Sequence, residues 1–183
     1  MSLPITPGTW VLDGAHTHVG FSVRHLGVSK VRGQFTSAEG SLTVGETLGD
    51  VRLDVSIDLG SIDTGNEDRD AHVRSADILS AGDAKMTYVS TSVEQRGDDY
   101  VVVGDLTING VTKPVTLTVD FEGAETNPFT QGLHAGFAAK GELSRGDFGI
   151  SFNVPLAGDK VLLSDTVKLE LEAEFVAPVP ATV

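Results

Sequence analysis

Val167-Lys168-Leu169-Glu170-Leu171-Glu172-Ala173-Glu174-Phe175 sets an apolar residue at every odd position and a charged one at every even position. In an extended chain successive side chains point to opposite faces, so a period of two describes a strand with one dry face and one wet face. At the helical period the same apolar residues would scatter around the whole circumference. Two more stretches repeat the pattern without a break. Val51, Leu53, Val55, Ile57 and Leu59 alternate with Arg52, Asp54, Ser56 and Asp58. Val115, Leu117, Val119 and Phe121 alternate with Thr116, Thr118, Asp120 and Glu122.

Weaker alternation marks residues 17–26, with Val19, Phe21 and Val23 on one face, and residues 31–44, where Gly33 and Gly40 suit bends or bulges. Residues 86–94, 100–108 and 133–143 complete the set, and a short segment at 9–12 starts the sheet. Asn109-Gly110 predicts a tight type I′ turn, because both residue types tolerate positive φ. Residues 45–50 and 97–99 are longer hairpin loops. Lys113-Pro114 belongs at the opening or edge of a strand, since proline has no N–H for a ladder. One segment departs from the pattern: Thr64-Gly65-Asn66-Glu67 reads as a capping box, which predicts a helix through Leu79 with Gly82 at its end. The expectation is an all-β chain of eight antiparallel strands, with one helix between the fourth and fifth long strands. Periodicity allows either a sandwich or a closed barrel. Small inward residues (Ala135, Ala139, Ala173) and an aromatic content of 6% lean toward a barrel with interior room.

A length of 183 residues and an even composition fit one domain at 9–176, between a lead-in at 1–8 and a tail at 177–183 expected to fray. Cysteine is absent, which removes disulfides, thiol nucleophiles and thiolate metal sites. A formal charge of −13 repels phosphate backbones and anionic headgroups, so neither nucleic-acid nor peripheral membrane binding is expected, and no apolar run approaches the ~18 residues that stable membrane insertion needs. The opening residues carry no basic segment followed by an apolar run, which predicts a cytoplasmic protein. No nucleophile elbow, phosphate loop, zinc-protease helix or dinucleotide fingerprint occurs, so no catalysis is expected. His16 and His18 lie two apart and would share a strand face, with Asp13 and His25 near in sequence. No third ligand follows at a zinc-like spacing, so hydrogen-bonded structural histidines are expected, with no metal and no cofactor.

Four stretches say more. Trp10-Val-Leu-Asp13-Gly-Ala-His16-Thr-His18-Val-Gly-Phe21 resembles the opening of the YceI-like family, and Ser61-Ile-Asp63-Thr64-Gly-Asn66-Glu-Asp-Arg69-Asp70-Ala-His72 resembles its helix. Gly104-Asp-Leu106-Thr-Ile-Asn-Gly110-Val-Thr112-Lys-Pro114 is similar to its central hairpin, and Ser144-Arg145-Gly-Asp147-Phe148-Gly149-Ile150 to its late turn. The resemblance runs in order from about residue 9 to 175. It implies an elongated, eight-stranded, lipocalin-like barrel that binds a polyisoprenoid chain, such as that of an isoprenoid quinone, and acts in lipid binding or transport without catalysis. The chain departs from the family at Ala84-Lys85-Met86-Thr87-Tyr88, where relatives carry an aromatic-proline pair and a phenylalanine, so ligand size or orientation is expected to differ. Many relatives also carry a secretory leader, so a periplasmic role does not carry over.

With the barrel so implied, Val19, Phe21, Val23, Val55, Ile57, Val119, Phe121, Phe137, Leu169 and Leu171 are the expected lumen residues. Arg69, His72, Arg74 and Arg145 are the candidates to hold a polar head group, because a cation at the mouth suits a phosphate or quinone oxygen. The alternative is a barrel scaffold that works through protein–protein contacts, including a homodimer, without a bound lipid.

Overall fold

The computed structural model describes residues 2–82 and 84–178. Eleven strands form one sheet: β1 Gly8–Leu12, β2 His18–His25, β3 Ser29–Phe35, β4 Ala38–Val44, β5 Arg52–Asp58, β6 Ile62–Asp63, β7 Lys85–Arg96, β8 Asp99–Ile108, β9 Val111–Thr126, β10 Leu133–Ser144 and β11 Leu163–Val176. They occupy eight barrel positions, because β1 continues into β2, β3 into β4, and β5 into β6. Each position pairs antiparallel with its neighbours in sequence. The ring closes where β11 pairs with β2 (Leu171↔Val19) and then with β1 (Leu12↔Phe175). Closure excludes the sandwich.

The interruptions have local causes. After β1 the Asp13 carboxylate accepts the Ala15 N–H at 3.0 Å, and the Thr17 hydroxyl donates to the Asp13 carbonyl at 2.7 Å. These bonds wind Gly14–His16 into a 3₁₀ turn before the ladder resumes. Between β3 and β4 the N–H groups of Thr36 and Ser37 turn instead to Ser61. The β8–β9 connection is the expected two-residue turn, with φ of 51° at Asn109 and 76° at Gly110. Pro114 lies inside β9, opposite Asp105 of β8. The β9–β10 ladder reaches only to Leu117, so the proline sits where its strand has one neighbour.

The helix, α1, spans Glu67–Arg74 and is shorter than expected. Asn66 caps it, its side chain accepting the Arg69 N–H at 2.9 Å. The capping box from Thr64 does not form, because the Thr64 hydroxyl donates to Asp70 at 2.5 Å and accepts from the Arg69 Nε at 2.7 Å. The helix stops at Ser75, whose N–H and hydroxyl both turn back to the His72 carbonyl, so Leu79 and Gly82 lie in the turns beyond it. The helix follows the short opening strand and three long ones; with β1 and β2 counted as one position, it follows the third. Within the tail, Ala177 donates its N–H to the Leu133 carbonyl at 2.8 Å; residues 179–183 lie outside the described residues.

Two buried clusters divide the interior. One packs Trp10 (0% exposed), Leu3, Leu42, Val44, Tyr100, Phe137 and Phe175 across one end of the barrel and shuts it. The lead-in contributes Leu3 to this plug, and the Trp10 indole N–H donates to the Thr6 carbonyl at 3.0 Å. The other cluster lies toward α1 and includes Leu59, Met86, Tyr88, Leu106 and Leu117. Met86 and Tyr88 belong to the segment that departs from the family pattern. The buried Tyr88 hydroxyl donates to the carbonyls of Val102 and Val115, at 3.3 and 3.1 Å, and burial raises its pKa well above the ordinary phenol range. The ring lies flat over Gly104, where any Cβ would overlap it. We expect Gly104→Ala to cost about 1–3 kcal/mol in urea-induced unfolding by forcing that ring off its site. An unchanged midpoint would contradict this packing.

Candidate functional site

The barrel encloses a cavity of about 710 Å³. Its walls come from the inward faces of the alternating strands: Val19, Phe21 and Val23 of β2, Val55 and Ile57 of β5, Val119 of β9, Phe137 of β10, and Leu169 and Leu171 of β11. Surface accounting carries the same message independently. Val19, Phe21, Val23, Val55, Val119, Leu169 and Leu171 all point inward, yet each is only partly buried. In a filled core such residues would be sealed by their neighbours.

Phe121 is the exception among the expected lumen residues. It does not line the cavity; its ring sits 5.3 Å from that of Phe137 and packs with the plugged end. The β9–β10 register shifts at Gly136/Phe137, so Phe121 pairs with Phe137 while Gly123 pairs with Gly136. Phe121 keeps the register of Val119 and lies beside Phe137, and the bulge begins just beyond the pair. Alternation also understated the wall. Val31, Leu53, Leu143, Val167 and Ala173 contribute from strands already recognised, while Phe152 comes from an irregular stretch that has no periodicity to read.

The α1 end is where the cavity meets polar groups. Arg69, His72 and Arg145 line it; Arg74 does not. The Arg74 guanidinium is spent on the Gly60 and Ile62 carbonyls, both at 2.9 Å, and anchors the helix to the chain before it. Arg69 does similar work on Thr64, donating from Nε to the hydroxyl at 2.7 Å and from Nη2 to the carbonyl at 2.8 Å. The buried Asp70 completes this anchor by accepting the Thr64 N–H at 2.9 Å. His72 is exposed and sets its ring edge-on to Phe152, with centroids 4.7 Å apart.

Arg145 differs from the other three because it is buried, at 8% exposure. Its Nε donates to the Ser164 carbonyl at 2.9 Å, and its Nη1 donates to Ile150 at 2.9 Å and Phe152 at 2.7 Å. No carboxylate among the described residues lies within 4.0 Å of it. Burial pulls its pKa below the ordinary arginine value, and nearby Asp165 acts in the opposite direction. A guanidinium in this setting offers positive field to whatever occupies that end of the cavity.

His16 and His18 do not share a face. His16 lies in the 3₁₀ turn beside Asp13, whereas the His18 Nδ1 meets the Gln34 Oε1 at 2.8 Å. The two-residue spacing assumed one continuous strand, and the Asp13 turn breaks it.

A closed, hollow, up-and-down barrel with a shut end and a cationic end belongs to the lipocalin-like class. The family model described as the YceI-like domain matches residues 10–175, and the chain belongs to that family. Protein YceI of Escherichia coli is 39% identical over 158 residues, covering 85% of this chain and 82% of its own length. Among solved structures, a YceI protein of Campylobacter jejuni is similar with a TM-score of 0.71 and 28% identity, covering 91% of this chain and 96% of that one. A polyisoprenoid binding domain from Saccharophagus degradans shares the fold, with a TM-score of 0.63 and 17% identity over 92% of this chain and 98% of that one.

Below Arg145 the turn is tied by Asp165, which accepts the Ser144 hydroxyl and, at 2.9 Å, the Gly146 N–H. The Ser144 hydrogen bond, then the backbone one, hold its carboxyl below the usual range. A depressed folded-state pKa stabilises above the unfolded value of 3.8 and loses that contribution as pH falls through the folded value. Asp165→Asn should therefore lower the thermal midpoint at pH 7 and flatten its decline below pH ~4. Parallel acid profiles for the two proteins would remove Asp165 from this role.

Proposed function

We propose that the barrel carries one long apolar molecule of the polyisoprenoid class in its cavity and performs no chemistry on it. The observation that carries this reading is the cavity wall: inward Val19, Phe21, Val23, Val55, Val119, Leu169 and Leu171 remain only partly buried inside a closed barrel. The volume lies within the ~300–1,000 Å³ of typical small-molecule sites, and the wall offers little to orient a compact polar ligand. Each methylene moved from water into such an interior contributes about 0.8 kcal/mol. Ten of them supply about 8 kcal/mol against an association cost of at least ~4 kcal/mol, so a tail binds without any polar contact. The polyisoprenoid binding attributed to the Saccharophagus degradans domain points to the same ligand class.

Arg145 gives the guest its orientation in this reading, with the head group at the α1 end and the tail running toward Trp10. Arg69 and His72 line the cavity near that position, while Arg74 lies off the wall. Polar groups along the wall are already engaged, as with Tyr88 on two carbonyls, which suits retention better than turnover.

Native mass spectrometry of the purified chain, followed by organic extraction, tests the proposal. One long-chain species per barrel is expected, either co-purified or after incubation with quinones and prenyl phosphates. A bare mass after both treatments would overturn it in favour of a scaffold acting through protein contacts. Val119→Trp and Phe137→Trp should each cut uptake at least tenfold by filling the lumen, with the β-sheet circular dichroism retained; equal uptake would remove these residues from the site.

A further inference from the structure

A second constellation lies outside the lumen, at the seam that closes the barrel. Asp13 and His16 come from the turn after β1, His134 from the start of β10 and Glu174 from β11. The His16 Nδ1 is 2.9 Å from the Asp13 Oδ2 and 3.8 Å from the Glu174 Oε1, and the His134 Nδ1 is 2.6 Å from that same Glu174 oxygen. One donor atom each from Asp13, His134 and Glu174 lie within 4.8 Å of one another. Glu174 thus links both histidines, and the four side chains form one cluster.

We propose that Asp13, His16, His134 and Glu174 form a binding site for a divalent transition-metal ion of the zinc type. Two imidazole nitrogens and two carboxylate oxygens are the donor set that zinc and its neighbours prefer over magnesium or calcium. Four-coordinate donors about 2.0–2.1 Å from an ion stand roughly 3.4 Å apart, a spacing bracketed by the separations among the Asp13, His134 and Glu174 donors and by those of His16 from the two carboxylates. The frame beneath them is fixed. The Asp13 N–H donates to the Glu174 carbonyl at 2.8 Å, and His134 and Glu174 project from adjacent paired strands. Asp13, His16, His134 and Glu174 do not themselves line the cavity, although Thr17, His18 and Glu172 beside them do.

Charge favours a cation at this point. Among the described residues no lysine or arginine nitrogen lies within 4.0 Å of either carboxylate; their partners are the two histidines. Two carboxylates thus share this corner with only histidines as charge partners, and a bound dication supplies a fixed counter-charge. The site also spans the closing joint of the barrel, where β1 and β11 share only the pairs Val11↔Val176 and Leu12↔Phe175.

Calorimetric titration of zinc chloride into the chelator-stripped, tag-free full chain tests this directly. One equivalent is expected per chain, in the micromolar range or tighter, with a thermal midpoint raised by on the order of 5 °C at a hundredfold excess over Kd. His134→Gln and Glu174→Gln should each weaken binding at least about tenfold. His25→Gln, at the opposite end of the barrel, should leave it unchanged. Cobalt chloride on the unmodified chain gives a second readout that does not depend on variant folding, since a four-coordinate nitrogen–oxygen site produces intense visible bands. Absence of saturable zinc binding, affinity unaltered in both cluster variants, or a purely octahedral cobalt spectrum would each overturn the proposal.

Discussion

Backbone pairing along β11 is the constraint on which the rest of this structure depends. The strand has β10 on one flank and, on the other, β2 followed by β1, so every barrel position has a partner on both sides. A closed ring of main-chain hydrogen bonds sets the interior perimeter, which side chains cannot shrink by collapsing inward. What fills the interior is then a matter of residue size. Valines, leucines and alanines line much of the wall, and they do not reach across. The cavity follows from closure combined with small inward residues.

Closure also explains why the two ends differ. At one end large side chains converge, with Trp10 wholly buried among Phe137, Phe175 and Tyr100. At the other end α1 and the stretch from Ile150 to Leu162 take the place of plugging aromatics, and they are held by arginines bonded to main-chain carbonyls. Arg74 ties the helix to residues 60 and 62, and Arg145 ties the stretch at 150–152 and Ser164 to one guanidinium. These cations stabilise irregular backbone that has no ladder of its own. Because Arg145 sits on the cavity wall, the same side chain that holds the turn also gives that end of the lumen its polarity.

Strand positions were readable because burial on one face leaves a period of two, as in Val167 to Phe175. The turn at Asn109-Gly110 was readable because its backbone conformation restricts residue choice. Breaks in alternation were not, since they arise from single side chains: Asp13 bends the chain by accepting one N–H, and Ser61 draws Thr36 and Ser37 away from the ladder. The helix was placed correctly but drawn too long, because Thr64 is committed to Asp70 and Ser75 folds back on His72. Most wall positions follow from strand parity, whereas Phe121 shares that parity and is turned from the cavity by packing with Phe137 at the plugged end, which parity does not report. Arg145 stood out as one cation among several; its distinction, three carbonyls and no carboxylate, lies in contacts with residues up to 19 positions away. The cluster around Glu174 joins residues from both ends of the chain, so no local spacing announces it.

The shut end at Trp10 gives the cavity a direction. A tube open at both ends lets a chain thread through and leave by the far side, whereas a blind tube makes entry and exit the same path reversed. Whatever goes in first comes out last. For a guest of the proposed kind, depth becomes a ruler: a tail shorter than the tube leaves wall uncovered near Arg145, and a longer one must fold back or stand proud of the rim. Length discrimination of this kind needs no specific contact along the wall, only a floor, and the buried cluster around Trp10 is placed to be one.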